Sequence, residues 1–175
     1  MKENRKASFA YAIKDEGESL HSYKGSLKKY GIELSALEEN APYLAAAPFL
    51  ANLDKAGALR IYAKVYWKHL GCDGARGGLD YFIFDSGLVC GGPGNVARWI
   101  QLLAAPGGNC RFDEALAWVN SLDLETAIRG LEFYRRRRLR ASPQWPVLGA
   151  EWTNRCNRAK QRALAMGAEL KENAA

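Results

Sequence analysis

Leu79-Asp80-Tyr81-Phe82-Ile83-Phe84-Asp85-Ser86-Gly87-Leu88-Val89 is apolar on most sides when wound into a helix. A helix of that kind offers no solvent face, so it reads as the buried centre of the molecule. Gly77-Gly78 breaks the chain before it and Gly91-Gly92-Pro93-Gly94 turns the chain after it. Outward from this centre the apolar spacing is helical nearly everywhere. Phe9-Ala10-Tyr11-Ala12-Ile13 is a short periodic segment closed by Asp15-Glu16-Gly17-Glu18, and Ser35-Ala36-Leu37-Glu38 has capping-box spacing for another helix. Asp54 stands where it can cap a helix through Leu70. That helix has Ala58, Tyr62, Val65, Tyr66 and His69 on one face and Gly71 as its stop.

Asn95 is placed to cap Val96 to Ala104, and Pro106-Gly107-Gly108-Asn109 marks a boundary. Asp113 to Asn120 reads as a short helix, and Asp123 caps a long one to about Arg140. The last runs from Leu148 to Met166 and is ended by Gly167. Hairpin signals are few and no internal repeat is present, so the expected class is all-α. The chain divides into residues 1–105, a helical C-terminal part over 106–168 and a frayed tail over 169–175.

With 175 residues the chain can bury a sizeable core, and its net charge of +6 with a pI near 9.2 points to a polyanionic environment. Nucleic acid, an anionic membrane face and a bacterial wall polymer all fit that charge. The four cysteines, Cys72, Cys90, Cys110 and Cys156, are widely spaced and only two histidines accompany them, so no metal site is expected. They read as free, mostly buried thiols of a protein made in the cytosol. No apolar segment follows the basic start Met1-Lys2-Glu3-Asn4-Arg5-Lys6, so no signal peptide is read, and no window approaches a membrane span. Gly92-Pro93-Gly94 lacks the strand and the lysine of a phosphate-binding loop. Arg135-Arg136-Arg137-Arg138 with Arg140 is the densest charge run, and on a helix these side chains spread around the circumference as a solvated face.

Several segments in order carry a resemblance. They are Glu16-Gly17, Tyr30-Gly31-Ile32, Ile61-Tyr62 with Tyr66-Trp67, Phe84-Asp85-Ser86-Gly87 before Gly91, and Arg98-Trp99-Ile100-Gln101. Late in the chain come Phe133-Tyr134-Arg135 and Gly149-x-x-Trp152-x-x-Arg155. Together these resemble glycoside hydrolase family 108, the lysozyme-like N-acetylmuramidases found among phage endolysins and secretion-activator proteins. The resemblance covers roughly residues 9 to 166. It implies a lysozyme-like helical fold, a peptidoglycan substrate and no cofactor. In that family a Glu-Gly-Gly-Tyr segment opens the active site, and its glutamate, the catalytic acid, corresponds to Glu16.

The chemistry needs that acid protonated, because a glycosidic bond leaves with a proton on its oxygen. An apolar wall such as Phe9 and Ile13 would raise a glutamate from about 4.3 to about 6. Tyr30, Trp67, Asp85 and Gln101 are the candidate substrate residues. The Trp67 ring, off the apolar stripe of its helix, either stacks on a sugar face or packs in the core. Asp85, within an otherwise apolar helix, is either paired as part of the structure or faces the cleft, a choice that Gln101 shares. The chain departs from the family at Glu18-Ser19, where the family has Gly-Tyr. It departs again at Lys24-Gly25-Ser26-Leu27-Lys28, where the family has an Asp and a Gly-Gly-x-Thr loop. Two expectations therefore stand side by side. One is a peptidoglycan glycan-strand hydrolase with Glu16 as general acid. The other is a non-catalytic relative that binds the cell wall or serves assembly or secretion. The implied partners are peptidoglycan and a holin or secretion machinery, without nucleic acid. The protein is expected to act as a monomer in the periplasm or wall after cytosolic synthesis.

Overall fold

In the computed structural model, residues 2–23, 26–107 and 109–172 are described. The elements run α1 (Lys2–Glu16), β1 (His21–Tyr23), β2 (Ser26–Lys29), β3 (Ile32–Glu33), α2 (Leu34–Asn40), α3 (Ala47–Ala51) and α4 (Lys55–Ile61). They continue with α5 (Leu79–Val89), α6 (Pro93–Ala104), α7 (Phe112–Ser121), α8 (Leu124–Arg140) and α9 (Trp145–Glu172). Short 3₁₀ turns lie at Pro42–Leu44 and Cys72–Gly74, and Tyr62–Trp67 is π-helical.

The centre is where the sequence puts it. Every residue from Leu79 to Leu88 is buried, and α1, α6, α8 and α9 all contact α5. Asp80 caps the start of this helix from within, since its Oδ1 accepts from the N–H groups of Gly78 at 2.8 Å and Tyr81 at 2.7 Å. Burial raises its pKa, and the Asn4 amide, donating to Oδ2 at 3.2 Å, opposes that rise. One apolar cluster continues from Phe9 in α1 through α5 to Ala163 and Met166 in α9.

Asp54 and Asp123 cap as expected, accepting from the N–H of Gly57 at 2.6 Å and of Thr126 at 2.9 Å. Other boundaries differ. Ser35 lies inside α2, whose cap residue is Glu33, so the capping-box spacing marks no helix start there. Asn95 lies inside α6, which already begins at Pro93; its amide donates back to the Cys90 carbonyl at 2.9 Å. Gly167 does not end α9. It stands where the helix touches its neighbours, with room for a hydrogen but no methyl beside Leu124 Cδ2 and the Gly77 carbonyl. The helix therefore continues to Glu172 across part of the expected tail, and residues 173–175 lie outside the described residues.

A small antiparallel sheet, β1-β2-β3, was not legible in the residue pattern. Its strands are two to four residues long, too short to show an alternation. The β2–β3 turn is Tyr30-Gly31, flanked by the Lys29–Ile32 pair, with φ of +53° and +74°. Positive φ at both central residues is the two-residue hairpin turn that follows the twist of its strands. Tyrosine pays about 1–2 kcal/mol for that conformation. The Tyr62 hydroxyl holds it there, donating to the Tyr30 carbonyl at 2.5 Å. Lys24 and Gly25 lie outside the described residues.

Candidate functional site

Glu16 closes α1 beside Gly17, whose φ of +70° ends the helix and whose N–H donates to the Ile13 carbonyl at 3.0 Å. The Glu16 side chain is only 8% exposed. Gly31 lies hard against it, since a Cβ there would come within 2.6 Å of Glu16 Cγ. The apolar wall expected from Phe9 and Ile13 is not what meets the carboxylate. Arg155 of α9 donates to Oε1, and Lys28 Nζ of β2 lies 3.0 Å from Oε2. Both oxygens thus face cations. A residue three positions before Gly31 in the chain, in the segment that replaces the family's Gly-Gly-x-Thr, supplies the second of them.

Arg155 also reaches into the core. Its Nη2 donates to Asp85 Oδ1 at 2.9 Å, while the fully buried Arg135 places Nη1 2.7 Å from Asp85 Oδ2. Arg135 donates as well to Ser86 Oγ at 3.3 Å. Burial alone would push the Asp85 carboxyl up, but the Arg155 and Arg135 guanidiniums outweigh it and hold the pKa down to about 2. A second clamp parallels the first one residue earlier. Arg162 donates to Asp15, and its guanidinium lies 4.4 Å from the centre of the Tyr11 ring. Helix α9 therefore fastens the end of α1 at two successive acids, by residues two turns apart.

The depressed Asp85 pKa fixes the sign of an acid effect. Its anion is stabilised in the folded state, so its contribution is full above the unfolded value near 3.9 and is lost as pH falls toward about 2. Asp85→Asn is expected to weaken the fall in urea-unfolding stability between about pH 4 and pH 2. An unchanged acid profile would show that the ion pair carries no such linkage.

One cleft, lined by residues close to this network in the chain, has a volume of about 380 Å³. Glu33, Ser35, Arg138, Ser142 and Trp152 are among the residues that line it. Glu33 follows Gly31-Ile32, and Trp152 precedes Arg155 by three residues. Lys28 and Glu33 are direct cross-strand partners, and such residues share one face of a sheet. Lys28 thus pairs with Glu16 from the face of the sheet that carries Glu33. The Tyr66 hydroxyl is driven above its usual range by burial first and then by the charges of Glu33 and Glu16. This cleft combines an aromatic ring, a guanidinium, a carboxylate and two hydroxyls, the groups that bind a polyhydroxylated ligand bearing carboxylates.

The expected substrate residues are not brought to it. Tyr30, Trp67 and Asp85 are buried, and neither they, Gln101 nor Glu16 line the cleft. Trp67 is turned inward because its segment is π-helical: i→i+5 bonding, as from the Lys68 N–H to the Ala63 carbonyl at 3.1 Å, sets residue 67 above Tyr62. Its Nε1 donates to Asp73 at 2.8 Å. The Gln101 amide donates to the Cys110 carbonyl at 2.7 Å and ties α6 to the chain before α7. Arg138, by contrast, reaches the cleft although its charge run reads as a solvated face in the sequence, and Trp152 reaches it too. Only their proximity in the fold to the β3–α2 junction reveals that role.

Cys72, Cys90 and Cys156 are buried free thiols and Cys110 is half-buried. Burial pushes the Cys90 thiol up to about 12, so it stays protonated and inert. Among the described residues no three His, Cys, Asp or Glu side chains gather as a metal site, and no helix is long and apolar enough to cross a membrane.

Residues 9–91 match the family model Glycosyl hydrolase 108. The glycosyl hydrolase 108 resemblance read from the sequence is thus borne out over the part that holds Glu16, the sheet, the Tyr30-Gly31 turn and α5. A solved structure, that of SagA from Brucella abortus, is similar with a TM-score of 0.80 at 23% sequence identity, covering 95% of this chain and 97% of that chain. At that identity the likeness shows the fold, which is helical and lysozyme-like. No curated protein matches.

Proposed function

We propose that this protein binds the glycan strand of peptidoglycan in the cleft between Glu33, Arg138 and Trp152, without cleaving it. The glycosyl hydrolase 108 match supports the substrate class. The observation that carries the absence of cleavage is the pairing of Glu16. Arg155 and Lys28 occupy its two oxygens, it is 8% exposed, and it does not line the cleft. A general acid must reach the leaving oxygen with a proton, so Glu16 would have to shed both cations and turn outward. The neighbouring acids are engaged too: Asp15 with Arg162, Asp85 with two arginines, and Glu18 with the Tyr30 hydroxyl at 3.5 Å.

The test uses purified peptidoglycan sacculi. Wild type is expected to co-sediment with them and release no muropeptides detectable by mass spectrometry, and Arg138→Gln, exposed at the cleft, is expected to weaken retention about tenfold. Failure to co-sediment would remove the binding reading.

A second reading is favoured by one arrangement, the placement of Glu33 on the Lys28 side of the sheet beside Glu16. In it Glu16 is the general acid and Glu33 the second carboxylate of a glycan-strand hydrolase. New reducing muramic or 1,6-anhydro ends from wild type, absent with Glu16→Gln, would establish that reading and end the first.

A further inference from the structure

A larger groove, of about 650 Å³, shares no lining residue with the cleft. Its floor is apolar, formed by Leu53, Ile61 and Val65. Tyr43, 78% exposed, and Phe49, 37% exposed, stand at its rim. Arg60 and Lys64, one turn apart, face it from the other side; both are exposed, and neither has an ion-pair partner among the described residues. Asp54, the acid among the lining residues, is already engaged in capping Gly57.

The wall carrying Lys64 and Val65 is the π-helical segment. Such segments are rare and recur at functional sites. The lining comes from helical segments and the link over residues 52–54, with no β-strand, so the groove gives an extended peptide no strand edge to pair with. What fits is a ligand with an apolar body and an anionic head. Exposed aromatic rings beside Arg and Lys are the side chains that settle at a lipid headgroup layer.

We propose that this groove docks the protein on an anionic phospholipid surface, with an acyl chain over Ile61 and Val65 and the phosphate between Arg60 and Lys64. The net charge of +6 supports the approach to such a surface. The contact is independent of glycan binding and uses the other groove.

Vesicle co-sedimentation tests it. Wild type is expected to bind phosphatidylglycerol vesicles and not phosphatidylcholine vesicles, with binding falling as salt rises. Arg60→Gln/Lys64→Gln is expected to lower binding about twentyfold, and Tyr43→Ser about fivefold. All three side chains are exposed, so the melting temperature should stay unchanged. Arg137→Gln/Arg140→Gln, at two exposed positions of α8, is expected to bind as wild type does. Absence of binding to phosphatidylglycerol, equal binding to phosphatidylcholine, or binding lost only in the α8 variant would each overturn the proposal. So would a concentration-dependent dimer dissolved by Tyr43→Ser without vesicle binding, which would give the groove to a second copy.

Discussion

Arg155→Met is expected to lower unfolding stability by about 3–5 kcal/mol, the range for breaking a buried ion pair from one side. Arg155 is a cation shared by two acids of different elements. It pairs with Glu16 at the end of α1 and with Asp85 in the middle of α5, and its own side chain is 9% exposed. Methionine fills much of the same space but leaves one oxygen of each carboxylate facing an apolar wall. Arg135 still neutralises Asp85 and Lys28 still neutralises Glu16, so the chain should fold and give a measurable midpoint. Urea melts of Arg155→Met, Asp85→Asn and the double variant make the check. The double variant should cost less than the sum of the singles by more than about 1 kcal/mol, as coupled partners do. A loss below about 1 kcal/mol, or strict additivity, would show that these pairs contribute nothing to stability.

Gly78→Ala is the second large effect, expected at about 3–5 kcal/mol and at the upper end of what single substitutions do. Two costs combine there. The φ of +86° is one that an L side chain rarely adopts, which costs about 1–3 kcal/mol. A methyl at Gly78 would also sit 2.1 Å from the Ala163 carbonyl oxygen, so α9 must shift away from the start of α5. Gly17→Ala separates the two costs. Its φ is +70° but nothing lies within 4 Å of the added methyl, so only the conformational cost of about 1 kcal/mol remains. Equal midpoints for the two variants in urea would show that the close approach of α9 to Gly78 does not matter.

The central helix was readable because an eleven-residue run apolar on most sides has nowhere to go but the interior. The caps at Asp54 and Asp123 were readable for the same kind of local reason: an aspartate accepts from an N–H three residues on. The glycine breaks at Gly71, Gly78 and Gly91 were readable because each needs a positive φ. Glu16 at the mouth of a glycine turn was readable locally, and it closes α1 directly before Gly17, whose φ is +70°.

What surrounds Glu16 was not readable. Arg155 lies 139 residues away in the chain, so its pairing with Glu16 is a product of how α9 crosses α1 and α5. Arg135 looked like one of a solvated run, yet helix geometry turns that one residue of the run fully inward toward Asp85. Trp67 was placed off the apolar stripe by counting at 3.6 residues per turn, and the π-helical winding rotated it into the core. Gly167 carried a stop signal that the helix overrode, because the glycine was needed for close approach to Leu124 and Gly77.

By itself, then, the sequence determined the helical class, the buried α5 and the position of the acid, since periodicity, capping and glycine conformation act within a few residues. The tertiary structure alone decided that the acid is held by Arg155 and Lys28 and that Glu33, Arg138 and Trp152 share a cleft. Charge pairing and cavity shape depend on residues that only folding brings within a few ångströms of each other.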